Sequence, residues 1–516
     1  MTADDRNLFA ALREAFPADL DRVAIETDGR GAYTWRGLDR GTAMIANLLA
    51  SLDLPPGSRI AAHTDKSIEA LLLYLATLRA GHVYLPLNNA YQAAEVEHFV
   101  GDAEPAVVVC AARNFPWVST LAFRAGTRHV FMLDDGGTGS LLQRAAAQRD
   151  AHEIVPRRGD DLAAIIYTSG TTGRSKGAML SHRNLLSNAR VLKDWWDWRP
   201  DDVLIHALPI FHVHGLFVAV HGALLNGSPM LWLAKFDAKA VIERLPRASV
   251  FMGVPTLYTR LLADPALTRA ACAHMRLFIS GSAPLLEETF DAFRERTGHT
   301  ILERYGMSET VMLTSNPCRE SDGRDGRWRV GGTVGLPLPG VGVRVVDDAG
   351  AALPAGETGH VQVRGPNVFS GYWRMPEKTR EEFTADGWFR TGDVGRFDAH
   401  GYLTIVGRSK DLVISGGFNV YPAEVEGLIN ALPGVAESAV VGVPHPDFGE
   451  AVVAVVVPRP GAALDAAAVI AALKERVAHF KVPKRAFVVD ELPRNAMGKV
   501  QKNLLRERHR GLFGAA

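Results

Sequence analysis

Between residues 34 and 307 the chain alternates short apolar runs with stretches of helical spacing, and this alternation restricts the fold more than any other feature. "TWRGLDRGTAMIANLLASL" (34–52) repeats its apolar residues at helical intervals, and "SRIAAHT" (58–64) reads as a strand. "SIEALLLYLATLRAG" predicts a helix ending at Gly81, with the strand "HVYLPL" after it. "PAVVVCA" and "HVFML" read as buried strands, and "DDVLIHALPI", "SPMLWLA", "ASVFMGV" and "MRLFISG" continue the series with helical patterns between them. Strands alternating with helices imply crossover connections, hence an α/β fold with a mostly parallel sheet.

The character changes after about residue 330. "VGVRVVDD", "GHVQVRG", "GWFRTGD" and "GYLTIVGR" are strands joined by Gly and Asp turns, which predicts a small β subdomain or barrel over about 330–407. "GRSKD" (407–411) is short and polar, and a new pattern follows it. "DLVISG", a helix at "AEVEGLINAL", "ESAVVGV", "AVVAVVV", a helix through "LDAAAVIAALKERVAHF" and "RAFVVDELP" predict a compact α+β unit. The expected division is an N-terminal domain at 1–407, a hinge at 408–411 and a C-terminal domain at 412–516.

Charge excludes some partners. Lys+Arg and Asp+Glu both number 57, so no global basic field attracts nucleic acid, and no polybasic segment marks a membrane surface. No apolar run is long enough to span a bilayer. The start, "MTADDRNLFAALREAF", carries early acids and reads as neither a secretory signal nor a transit peptide. Cys110, Cys272 and Cys318 are far apart, which argues for a reducing, cytoplasmic setting rather than a disulfide framework. His206, His212 and His214 have no Cys or acid at ligand spacing, so metal binding there is not expected, and "DWWDW" (194–198) reads as packing.

One loop speaks of chemistry. "AIIYTSGTTGRSKGAML" (164–180) places Thr168, Ser169, Gly170, Thr171, Thr172, Gly173 and Lys176 behind a strand-like run. Glycines expose backbone N–H groups, hydroxyls donate, and the lysine adds a mobile charge, so the loop suits a polyphosphate. It is not a P-loop, because Gly177 follows the lysine where that motif needs Ser or Thr.

With "LPIFHVHGL" (208–216), "ERYGMSET" (303–310), "GWFRTGDVG" (387–395), "GRSKDLVISGGFNVYP" (407–422) and "LPRNAMGKVQK" (492–502) following in order, the chain resembles the adenylate-forming superfamily over nearly its whole length. That resemblance implies two α/β sheets and a β-barrel-like subdomain in the N-terminal domain, then a small mobile α+β domain. It implies a reaction in which a carboxylate attacks the α-phosphate of ATP, pyrophosphate leaves, and coenzyme A then displaces AMP. It assigns the β- and γ-phosphates to Thr168–Lys176 and Mg²⁺ to Glu309, a hard oxygen ligand. Ser282, Ala283, Tyr305 and Ser308 would line the nucleotide, with Tyr305 against adenine. Asp393 would accept the ribose hydroxyls, and Arg408 would reach ribose and phosphate. Lys499 would touch the carboxylate and the charge developing at the α-phosphate, in adenylation alone. Lys410 matches the pivot, and Gly416 and Gly417 would leave room for the pantetheine arm. Loss of the Lys499 charge by a lysine acetyltransferase would block the first step.

The acyl pocket decides the acid. His212, Val213 and Met307 are expected to line it, joined by Arg304 of "ERYGM", Arg260 of "VPTLYTR" and Ser282 of "SGSAP". Two partly buried guanidiniums need compensation, because an unpaired buried charge costs several kcal/mol. Either a protein acid such as Glu303 neutralises one, or Arg260 and Arg304 grip a second carboxylate on the substrate. "VFMGVPTLYTRLL", "MRLFISGSAPL", "ERYGMSET" and "NVFSGYWRMPEKT" together resemble malonyl-CoA synthetases, which hold the distal carboxylate at positions matching Arg260, Ser282 and Arg304. Malonate is the expected substrate, with methylmalonate a near neighbour. The alternatives are a ligase for another short or aryl acid and a non-enzymatic acyl-adenylate binder, which would be expected to lack Lys499 or Glu309.

Overall fold

The computed structural model describes residues 5–29, 31–168, 175–416, 418–474, 476–495 and 499–514. The chain separates into two compact units, one formed by 1–342 and 363–389, the other by 343–362 and 390–516.

The first unit holds two α/β sheets. One runs in the order His129–Met132, Val107–Cys110, Arg59–His63, Val83–Pro86, Leu162–Thr168, Lys176–Ser181. All its pairs are parallel except the last, where Thr168 stands opposite Lys176. The other has nine strands in the order Leu336–Pro337, Val311–Ser315, Ile301–Met307, Leu277–Ser280, Val250–Gly253, Leu204–His206, Met230–Trp232, Val23–Thr27, Ala32–Thr34. Its centre is parallel and its ends antiparallel.

The expected alternation is borne out, and its cause is burial. Val107–Cys110 and Val250–Gly253 are buried at every residue, as strands covered on both faces must be. Trp35–Ala50 forms the first long helix, capped by the Thr34 hydroxyl, which accepts from Gly37 N at 3.0 Å. Ile68–Arg79 is buried along its entire length, so it lies between layers rather than on the surface.

The second unit contains a four-stranded sheet, Gly342–Val346, Gly359–Arg364, Phe389–Phe397, Leu403–Arg408, in chain order. The outer strands do not pair, so the expected β-barrel is an open sheet. Four strands are few for a closed barrel. A further sheet carries Phe418–Val420, Val413–Ser415, Gly449–Pro458 and Val435–His445, with Arg485–Val488 parallel to Gly449–Pro458. Its apolar face packs on Pro422–Asn430 and Ala466–Lys474 through Val425, Ile429, Val469 and Leu473. The helix expected through "LDAAAVIAALKERVAHF" is shorter than its apolar pattern: its described turns are Ala466–Lys474, and His479–Lys481 is a separate 3₁₀ turn.

Candidate active site

In the first unit, two loops that follow sheet strands carry backbone strain. Ser282 follows Leu277–Ser280 and has φ 72°; Val311 opens Val311–Ser315 with φ 54°. Positive φ is rare for serine and a true outlier for a β-branched residue, and such strain gathers at functional loops. The turn around Val311 has no room for a side chain at 306, since a Cβ on Gly306 would fall 1.8 Å from Val311 O. Asn367 Nδ2 clamps this turn by donating to Thr310 O at 2.7 Å and Met312 O at 2.9 Å.

Glu309 sits on that turn and is buried. The Tyr372 hydroxyl donates to its Oε1 at 3.1 Å. The same ring carries Lys176, whose Nζ lies 4.2 Å from the ring centroid and 3.6 Å from Glu382 Oε1. Tyr372 thus joins the loop lysine to the buried carboxylate. Sequence reasoning missed Tyr372 and Glu382, because "GYWRMPEKTREE" carries no local sign that it folds back on "SKGAML". A backbone bond from Met179 N to Gly371 O at 3.0 Å makes that connection. Thr168 and Lys176 end and begin their strands as the loop reading requires. Ser169, Gly170, Thr171, Thr172 and Gly173 lie outside the described residues. Tyr305, Met307 and Ser308 are half-buried beside the Glu309 turn, whereas Ala283 and Ser282 are exposed.

A second cluster of buried polar groups is built around Arg304. Arg304 is 2% exposed, and its Nε and Nη2 have no hydrogen-bond partner. The guanidinium lies against the backbone at Gly281, where a Cβ would come within 2.6 Å of Cζ and Nη1. Only glycine permits that approach. Burial pulls the Arg304 guanidinium down to about 9, and the nearby Tyr258 and Glu303 offset that only in part. Neighbouring strand residues point to opposite faces, and no ion pair joins Arg304 to Glu303 among the described residues. Glu303 Oε1 instead accepts from Leu285 N at 3.3 Å, and burial pushes its carboxyl up to about 8.

Arg260 departs from expectation. It lies on Pro255–Ala263 and is exposed, so the region holds one buried guanidinium rather than two. Its helical position turns it away from the face that buries Leu257, Tyr258 and Leu261.

Two further groups point to the same place. His214 is buried, its Nδ1 is 3.5 Å from Ser282 Oγ, and its Nε2 has no partner. Burial, then the nearby Arg304 charge, holds it neutral, well below the usual histidine range. Ser280 Oγ is also buried without a partner. The "FHVHG" run supplied His212 as the acyl residue; His212 is half-buried and Val213 buried, and it is His214 that meets Ser282. His214 opens the π-helix His214–Val220, a helix type that clusters at functional sites. Arg304, His214 and Ser280 thus each carry a buried polar atom without a hydrogen-bond partner.

The second unit gathers its own predicted residues. Asp393 and Arg408 are cross-strand neighbours, joined by Arg408 Nε to Asp393 Oδ1 at 2.6 Å. Lys410 reaches solvent from the 3₁₀ turn Ser409–Asp411. Desolvation draws its ammonium down to about 8, opposed by Asp411 and assisted by Arg408, Lys499 and Arg506. Lys499 is exposed and its N–H donates to Asn495 Oδ1 at 3.0 Å. Gly416 has φ 60° in the turn between Val413–Ser415 and Phe418–Val420, and Gly417 lies outside the described residues. No cluster of three or more His, Cys, Asp and Glu side chains suited to a metal occurs among the described residues. No helix among them is long and apolar enough to cross a membrane.

Lys176, a buried carboxylate joined to it through Tyr372, and the buried polar groups around Arg304 all lie in the first α/β unit. Residues 12–373 match the family described as AMP-binding enzyme, and 424–499 match the AMP-binding enzyme C-terminal domain. The chain belongs to the AMP-binding enzymes. It is similar to a malonate–CoA ligase of Arabidopsis thaliana, 34% identical over 94% of this chain and 86% of the relative. A feruloyl-CoA synthase of an Amycolatopsis species is also 34% identical, over 93% of this chain and 94% of the relative. The crystal structure of ATP-bound MatB from Rhodopseudomonas palustris superposes with a TM-score of 0.94 at 54% identity, over 98% of this chain and 99% of that one.

Proposed function

We propose that this chain is a malonyl-CoA synthetase. It joins malonate to coenzyme A with cleavage of ATP to AMP and pyrophosphate. The observation that carries the substrate is the buried, unpartnered Arg304 with His214 and Ser280 beside it. A second carboxylate on the acid would complete their hydrogen bonds, and a plain aliphatic or aryl tail would leave them empty. The similarity to malonate–CoA ligases and to MatB supports the same choice over feruloyl-type acids.

In the first step a malonate oxygen attacks the α-phosphorus and the bond to the β-phosphate breaks. Two anions must meet, so positioned positive charge dominates the barrier. Lys176 leaves Glu382 for the outgoing phosphates, and Lys499 offsets the charge on the α-phosphate. Glu309, buried and hydrogen-bonded to Tyr372, is a hard oxygen ligand that would hold Mg²⁺. The ion supplies charge neutralisation between the phosphates. Tyr305 rests on adenine, and Asp393 exchanges Arg408 for the ribose hydroxyls. In the second step the thiol sulfur attacks the acyl carbon, its proton is lost, and AMP leaves. Lys410 is the pivot between the steps, and the Gly416 turn admits the pantetheine arm. Arg260, exposed, is a closing contact for the distal carboxylate.

Lys499, exposed, is open to acetylation, which would stop the first step alone. The three cysteines are buried and free, which suits a reducing, cytoplasmic setting. Malonate labelled with ¹⁸O in its carboxylates tests the reaction. Label should appear in AMP and the organic product should be malonyl-CoA. Label in phosphate instead of AMP would refute the acyl-adenylate route.

A further inference from the structure

His206 is buried and lies at the end of Leu204–His206, outside the residues given a role above. Its Nε2–H donates to Gly215 O at 2.9 Å, inside the π-helix. Its ring stacks on Trp232 at 4.4 Å between centroids, with 14° between planes. Lys66 backs this pair from the far side of the sequence. Its ammonium lies 4.3 Å from the Trp232 ring centroid and donates to His206 O at 2.9 Å and Leu233 O at 2.6 Å. Lys66 therefore ties together the ends of two adjacent parallel strands, leaving the His206 ring one orientation.

The π-helix has a second restraint. A Cβ at Gly215 would fall 2.1 Å from Pro209 O, so the turn presses directly on the preceding loop. Gly215 directly follows His214, so the His206 bond to Gly215 O restrains the backbone next to the imidazole that meets Ser282. A π turn is less favourable than α-helix unless something outside the helix holds it.

We infer that His206 is a positioning residue for the acyl site: its bond to Gly215 fixes the π register that aims His214 at the substrate. This rests on the assignment of the Arg304 and His214 region as the acyl site. His206 touches no substrate, so its loss should weaken use of the acid without weakening the nucleotide site.

Two variants separate donor from shape. His206→Phe keeps the stack on Trp232 and removes the N–H; His206→Gln restores a donor at a similar reach. His206→Phe should raise KM for malonate about tenfold or more, with kcat less affected and KM for ATP within about twofold. His206→Gln should recover most of the loss. Histidine-selective ¹⁵N labelling gives a readout that needs no substrate. The wild-type His206 ring should be the Nε2–H tautomer, and the His214 resonances should move in the Phe variant and return in the Gln variant. Unmoved His214 resonances, or a Gln variant as impaired as Phe, would overturn the proposal. Failure of the wild type to use malonate would strike the functional assignment, while the spectra would still decide the role of His206.

Discussion

Replacing Arg304 with methionine should cost activity and add stability at once. The side chain is 2% exposed, with Nε and Nη2 unpartnered, so in the free protein its charge is buried with only partial compensation from Tyr258 and Glu303. Removing such a charge in favour of an apolar group of similar length should stabilise the fold by roughly 1–4 kcal/mol. In the complex, the same two nitrogens would make charge-assisted bonds to the distal carboxylate, each contributing roughly 1.5–3 kcal/mol. Arg304→Met should therefore lower kcat/KM for malonate by about 10²- to 10⁴-fold. Activity on acetate should hold or rise, since no guanidinium is then left empty. Urea denaturation and AMP release with each acid measure both arms. A less stable variant with unchanged preference for malonate would refute the reasoning, because Arg304 would then be a structural ion neutralised by the protein.

Three other outcomes follow from the geometry. Tyr372→Phe removes the hydroxyl on Glu309 but keeps the ring under Lys176, so the Mg²⁺ concentration for half-maximal activity should rise about tenfold with KM for malonate unchanged; a titration of Mg²⁺ checks this. Lys499→Gln should slow malonyl-AMP formation by about 10²-fold or more, yet leave thioester formation from supplied malonyl-AMP intact, and loss of both half-reactions would exclude an adenylation-only role. Burial holds His82 and His182 down to about 4 and His221 to about 3, so the folded state keeps them neutral while the unfolded chain protonates near 6.5. That contribution is whole above pH 6.5 and is lost as pH falls toward 4, at about 1.4 kcal/mol per histidine per unit. Urea midpoints at pH 7.5 and 5.0 should show the loss, and His182→Gln should lessen it.

The sheets of the first unit were legible because each buried strand announces itself by an unbroken apolar run, as at Val107–Cys110. The expectations for Glu309, Asp393 and Lys176 rest on short motifs matched by resemblance, each confined to a few neighbouring residues. What stayed hidden depends on contacts between distant segments. Tyr372 meets Glu309 across 63 positions, and Lys66 meets His206 across 140. His214 stayed hidden because the motif match points to His212, and Ser282 meets His214 across 68 positions. Arg260 is expected in the pocket from the match to relatives, a positional match that carries no exposure, and its place on the helix leaves it exposed.

The measurement that bears most directly on the central claim is AMP release, dependent on ATP, Mg²⁺ and coenzyme A, across malonate, methylmalonate, succinate, acetate, propionate, octanoate and coumarate. The account predicts activity confined to malonate and its near neighbours, with acetate and propionate poorer by about 10⁴-fold. Turnover of octanoate or coumarate at rates matching malonate would contradict it, and would mean that Arg304 does not face the acyl group.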